Sequence, residues 1–216
     1  GYVIITEPQR LYNSPRTAYA AALRMFAAHA MNQANPNTPA FKSHYGRNQI
    51  WHAMSPGDHM SNAQVVKAII EQIEKWWGWA LADAIETRGV PIPVSLRPQG
   101  LFHVGKVLHT VQDSFSEAHV IRDEVTSEII TFQDYTKQDE GAHAEKDKGV
   151  ASKALHDIPG ATVSIVHSVE VLKLFKAKRG FVVLRECLLA NVFKLKPGFE
   201  HLPSGGVRPG LEKRAR

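Results

Sequence analysis

Apolar positions recur along most of this chain with helical spacing. In "SNAQVVKAIIEQIEKWWGWALADAIETRG", Val65, Ile69, Ile73, Trp76, Trp77 and Leu81 fall on one stripe, the signature of one long amphipathic helix. Nearer the start, Ser14-Pro15 offers an N-cap and a first helical position. "TAYAAALRMFAAHAMNQA" follows with strong helix formers, and "NPNTP" (Asn35–Pro39) ends it. "FKSHYGRNQIWHAMSPGDH" reads as irregular chain or a short helix between breakers. "VPIPVSLRP" is an extended connector, and "GLFHVGKVLHTVQDSF" is the next helix. "VTSEIITFQDYTKQDEG" has little helical pattern and reads as a loop with a short strand or turn. "AHAEKDKGVASKALHD", "PGATVSIVHSVEVLKLFKAKRG" and "FVVLRECLLANVFK" finish the fold. No internal repeat is visible, and no two-residue alternation lasts long enough for a sheet. The expected fold class is all-α. One helical-bundle domain is expected over residues 1–200, with a flexible basic tail over 201–216,.

Composition narrows the class. A chain of 216 residues with 44% hydrophobic content suits one globular domain with a real core,. No apolar run reaches the roughly 18 residues that span a bilayer. Gly1-Tyr2-Val3-Ile4-Ile5-Thr6 lacks the basic start and long apolar stretch of a secretory signal,. The absence of an initiator Met suggests a processed chain or a fragment of a larger protein. Cys187 is the sole cysteine, so no internal disulfide can form,. The net charge of +5 favours anionic partners such as phospholipid headgroups, nucleic acids or phosphate esters,. Several of the basic residues crowd into the tail "GGVRPGLEKRAR".

The eleven histidines raise the question of where they fall. "SHYGRNQIWHAM" carries His44 and His52. "LHTVQDSFSEAH" carries His109, Asp113 and His119. "HAEKD" carries His143 and Asp147. A histidine and an aspartate four apart share one helix face. Such a pair alone is usually a solvated contact worth a few tenths of a kcal/mol. Two pairs with further histidines nearby suit a metal, because imidazole and carboxylate are good ligands for zinc. On spacing alone, the solvated and the metal-binding readings both stand. Trp76, Trp77 and Trp79 have two readings as well, a lipid contact or core, of which core is the more frequent on an amphipathic helix.

"LHTVQDSFSEAH" resembles the signature helix of the zinc-dependent phospholipase C and S1–P1 nuclease superfamily. There a histidine, an aspartate four later and a histidine six further on bind metal. The family also has a histidine upstream, matched by His52 in "IWHAM", and a second His-x-x-x-Asp or His-x-x-x-Glu pair downstream, matched by His143 and Asp147. The resemblance spans roughly residues 44–175. "SHYGRNQIWHAM" is also similar to versions of the domain found in larger bacterial proteins, including secreted effectors.

The resemblance implies an all-helical fold holding two to three zinc ions and hydrolysing phosphodiesters. It implies that His52, His109 and Asp113 hold one zinc, that Asp113 bridges to a neighbour, and that His119, His143 and Asp147 hold another. Water shared by two such ions loses a proton near neutral pH and attacks phosphorus, so Cys187 need take no part. Two features depart from the pattern. The family's third zinc uses an N-terminal tryptophan and a nearby histidine, whereas this chain starts Gly1-Tyr2; His29 is either that histidine or a core residue. The family's upstream aspartate has no counterpart, since residues 30–51 contain neither Asp nor Glu. His44 is the expected replacement, a catalytic group beside Asp113. Asp58 and His59 are alternatives, with Asp58 reading as a turn or cap residue. His103, His156, His167 and His201 fit none of these spacings and read as structural or exposed.

The expected function is phospholipase C-like hydrolysis of glycerophospholipids, with peripheral membrane contact, by a secreted or target-cell-delivered protein. A nuclease using the same metals is the alternative, and a non-catalytic metal-stabilised interaction module is the third.

Overall fold

The long apolar stripe becomes helix α1, Asn62–Glu86. It buries Val65, Ile69, Ile73 and Trp77 completely and Trp76 almost so, while Trp79 stays half exposed. Two of the three tryptophans are thus core. Asn62 fixes where the helix begins. Its Nδ2 donates to Ile130 O and Phe199 O, and its Oδ1 accepts from Phe132 N. One fully buried amide therefore ties the helix start to two later segments.

The computed structural model describes residues 43–57, 59–86, 100–147 and 160–213, without the side chains at 83–86, 101, 102, 144, 145 and 147. Gly1, Tyr2, the helix expected after Ser14-Pro15, His29, Asp58 and His156 lie outside the described residues. Among the described residues, no helix is long and apolar enough to cross a membrane.

Helix α2, Gly100–Asp113, is the hub. It packs against α1, against a seven-residue 3-10 turn at Gly46–His52, and against α4. Its Val107 and Val111 enter the same core as the α1 stripe. Helix α3 is Glu140–Asp147, α4 is Ala161–Lys176 and α5 is Phe181–Asn191. Val171 of α4 and Leu184 and Leu188 of α5 close the core. A buried hydrogen bond from Gln112 Nε2 to Ser168 Oγ, 3.2 Å, links α2 to α4.

The all-α expectation needs a correction. The fold is mostly helical, but it contains a two-stranded antiparallel sheet, β1 (Val120–Arg122) and β2 (Ile129–Phe132). Val120 pairs with Phe132, Ile121 with Thr131 and Arg122 with Ile129, so Ile130 is the extra residue of a bulge. β2 lies in the stretch expected to hold a loop with a short strand or turn, and the bulge masks its two-residue period. Ile129 and Phe132 are both buried three positions apart, so alternation is broken within four residues,.

The basic C-terminal segment is not a flexible tail as far as residue 213. It runs beside residues 132–139, with Gly205 N donating to Phe132 O, Asp139 N to Leu211 O and Lys213 N to Lys137 O. Leu211 and Ser204 are buried. Charge density suggested solvent, but the backbone pairing and one apolar anchor hold the segment down.

Arg122 locks the hub. Nε donates to Ser114 O (3.1 Å), Nη1 to Ser127 O (2.7 Å) and Nη2 to Val192 O (2.7 Å). Ser114 and Val192 follow the last residues of α2 and α5, where the helix dipole and unpaired carbonyls favour a cation. Burial pushes the guanidinium pKa down to about 10, which leaves it charged at neutral pH. Phe115 lies 4.2 Å beneath the guanidinium. Gly160, at the start of α4, meets the same turn. Its φ is +76°, and a Cβ there would stand 2.4 Å from Phe115 O.

Arg122→Met should therefore lose at least about 2 kcal/mol of stability, since it strands buried carbonyls that a charged donor satisfied. Gly160→Ala should lose about 1–3 kcal/mol from backbone strain and add a clash. Gly180→Ala, at φ −62° with open space around it, is the near-neutral control. Denaturant unfolding of the three variants reads this directly.

Candidate metal centre

The centre is assembled from three stretches that α2 gathers. Helix periodicity puts His109 one turn below Asp113 on the face of α2 that meets the 3-10 turn. That turn ends at His52, and Thr110 Oγ1 donates to Trp51 O at 2.7 Å, fixing the two segments side by side. After Asp113 the chain leaves the helix in a tight turn, with Ser116 N on Asp113 O and His119 N on Ser116 O. His119 thus stands past the helix end, immediately before β1.

All three imidazoles reach one oxygen. Asp113 Oδ2 is 3.0 Å from His52 Nδ1, 3.1 Å from His109 Nε2 and 3.6 Å from His119 Nδ1. His52 Nδ1 and His109 Nε2 are 2.9 Å apart. Asp113, His52 and His119 are buried, while the His109 side chain is 31% exposed and so faces the way in.

Electrostatics set the protonation. Burial alone would raise the Asp113 carboxyl. The imidazoles of His109 and His119 and the hydrogen bond from His52 outweigh it and hold the group well below the usual carboxylate range. Burial pushes His52 down to about 3, against the raising effect of its hydrogen bond to Asp113. At neutral pH the pair is a carboxylate and a neutral imidazole, the forms that bind metal.

The donor set fits a divalent cation. His52, His109 and Asp113 each offer a ligand atom within 4.8 Å of the others. Their closest approaches, 2.9–3.1 Å, are near the about 3.3 Å that separates ligand atoms around a tetrahedral ion of zinc size. Three lone-pair atoms this close need a proton or a cation between them. Ser43 supports either state of His52. Its Oγ lies 2.8 Å from His52 Nε2, and a hydroxyl can both donate and accept,.

The other expected residues divide cleanly. His44 joins the cluster, its ring stacked on His52 at 4.1 Å between centroids. His143 stacks on His119 at 5.1 Å and also meets His44 edge-on at 6.4 Å. Asp147 ends α3, one turn beyond His143 on the same face, but its side chain lies outside the described residues. His59 and His201 are exposed. His103 sits against Trp79 and His167 against Phe115, away from the cluster.

Sequence reasoning missed Ser43, Tyr135, Gln138 and Gln133. Tyr135 packs its ring on both His44 (5.0 Å) and His143 (4.8 Å). Gln138 Oε1 lies 2.7 Å from His143 Nδ1. None of these types carries a spacing signal, although Ser43 and Gln138 stand one and five residues from a histidine already singled out.

Removing Asp113 should be the most damaging single change to metal binding, because one oxygen serves three imidazoles. Asp113→Asn should weaken Zn²⁺ binding by more than the about 10- to 100-fold that loss of an outer partner costs. His119→Ala should spare the His52–His109–Asp113 group. Calorimetric titration of both variants, with helicity as the folding control, checks this. Equal affinities for wild type and Asp113→Asn would reduce the carboxylate to a hydrogen-bond partner.

These assignments stand on geometry alone: no family model matches the chain, and neither a curated protein nor a solved structure matches it.

Proposed function

We propose that the chain is a zinc-dependent phosphodiesterase, a phospholipase C-like hydrolase of glycerophospholipids. The observation that carries the reading is the convergence of His52, His109 and His119 on Asp113 Oδ2, buried on one side and open at His109. His52, His109 and Asp113 would hold one ion, and His119, His143 and Asp147 a second. Zinc supplies water activation and polarises the phosphoryl oxygen when bound.

The chain's own residues do the rest. Asp113 keeps a negative charge in a buried place and offers an oxygen to both histidine groups. Ser43 holds the His52 ring. His44, partly buried and stacked on His52, is placed in the proposal as the group that hands a proton to the leaving alkoxide. Tyr135 walls the approach between His44 and His143. The net charge of +5 favours an anionic ester,. Trp79, half exposed on α1, is the one tryptophan of its group left for contact with a lipid surface,. Delivery outside the producing cell belongs to the same proposal and rests on the resemblance to effector-borne domains.

The zinc-loaded chain should release diacylglycerol from phosphatidylcholine vesicles, lose that activity to a chelator and regain it with zinc. Asp113→Asn should lower the rate by at least about 100-fold, several kcal/mol of transition-state stabilisation. His44→Ala should lower it by about 100-fold or more, the usual worth of a positioned acid. Cleavage of single-stranded nucleic acid without lipid hydrolysis would move the protein to the nuclease reading. Zinc binding with neither activity would leave a metal-stabilised interaction module.

A further inference from the structure

His143 differs from the other imidazoles of the centre in what stands behind it. His52, His109 and His119 each turn a nitrogen toward Asp113, and the other nitrogen of His52 meets the Ser43 hydroxyl, whereas His143 Nδ1 is held by a carboxamide, Gln138 Oε1, at 2.7 Å. Gln138 is fully buried, and its orientation is fixed from the other end. Its Nε2 donates to Ala118 O at 2.6 Å and to Gln133 Oε1 at 3.3 Å. Gln133, also fully buried, is fixed in turn. Its Oε1 accepts from Arg208 N at 2.7 Å and its Nε2 donates to Glu117 O at 2.7 Å. Turning either amide over would set oxygen against a carbonyl oxygen, and for Gln133 also NH₂ against an N–H. The relay runs one way only, from the backbone at 117, 118 and 208 to Gln138 Oε1.

A carboxamide oxygen has lone pairs and no proton. The hydrogen on the His143–Gln138 bond must therefore belong to His143 Nδ1. In the neutral ring the lone pair then lies on Nε2. We propose that Gln138 is a positioning residue that presets His143 as the Nδ1–H tautomer, so that Nε2 is the nitrogen offered to a divalent cation. This deepens the proposed metal site and rests on that reading only for the identity of the ligand; the tautomer itself does not. An outer partner of this kind orients a ligating ring and sets its strength.

The test begins with the metal-free wild-type chain, in which long-range ¹⁵N–¹H correlation distinguishes the two tautomers of each imidazole. His143 should carry its proton on Nδ1. A proton on Nε2 would overturn the proposal without any variant. Gln138→Met, which keeps length and loses the acceptor, should abolish that preference and weaken the second Zn²⁺ equivalent by about 10- to 100-fold in calorimetric titration, with the first equivalent unchanged. An unaltered tautomer in a folded Gln138→Met chain would also overturn it. If that variant does not fold, the wild-type tautomer decides alone. Should the tautomer be Nδ1–H while the wild type takes up no Zn²⁺, the positioning role survives and the metal reading of the centre fails.

Discussion

A buried carboxylate with no countercharge is among the costliest things a fold can contain, several kcal/mol even after relaxation. Asp113 is 3% exposed. Everything around it can be understood as an answer to that cost. The first 3-10 turn brings His52, α2 brings His109 from one turn below, and the turn after α2 brings His119. None of these can be moved independently, because each approaches the same oxygen. The requirement also explains where α2 ends. A further helical turn would carry His119 along the helix axis and away from Asp113. The chain leaves the helix instead, and Arg122 takes up the carbonyl of Ser114 that the interrupted helix leaves behind.

The stability of the centre and that of the fold are therefore one problem. Arg122 reaches back to the residue after Asp113, onward to Ser127 in the hairpin and across to Val192 after α5. Gly160 approaches the backbone of Phe115 too closely for any side chain. The turn that aims His119 is held by a guanidinium and by a second helix start, both specified by single residues. A core of Val, Ile, Leu and Trp could tolerate exchange among similar volumes; this turn could not.

How much of this was legible depended on the range of the signal. The α1 stripe and α2 were readable because a 3.6-residue period is local and repeated. The His109–Asp113 pair was readable for the same reason, being four apart on one helix. His52 and His44 stood out as histidines, but only the family resemblance gave them partners, since nothing in "SHYGRNQIWHAM" fixes what they meet. Of the hairpin, only a short strand or turn around Ile129–Phe132 was legible, because β1 has three residues and the bulge at Ile130 leaves no alternation in β2. The packed segment 201–213 was illegible because its anchorage is backbone pairing with residues 132–139, which charge and composition do not report. The supporting amides Gln133 and Gln138 were invisible for a plainer reason. A glutamine has no period, no charge and no preferred motif, and becomes meaningful only when its neighbours are known.

Gln49 joins the two halves of the centre. It is buried in the first 3-10 turn, where its backbone oxygen accepts from Met54 N. Its side chain crosses to the segment that carries Gln138: Nε2 donates to Asp134 Oδ1 at 3.1 Å, and Oε1 accepts from Tyr135 N at 2.8 Å. Between His52 and this anchor stands little slack. The residue after His52 is Ala53, fully buried and in the left-handed region at φ 51°. A non-glycine residue pays roughly 1–2 kcal/mol to be there, and it persists because Gln49, Thr110 and Asp113 together over-determine the turn. The same amide thus sets the distance from His44 and His52 to Tyr135 and, through the short 3-10 turn at Tyr135–Lys137, to Gln138 and His143. The imidazoles around Asp113 and the amide-backed His143 are consequently not two sites that happen to adjoin. They are two ends of one rigid polar span, with apolar packing beneath it and the partly exposed His109 at its open edge.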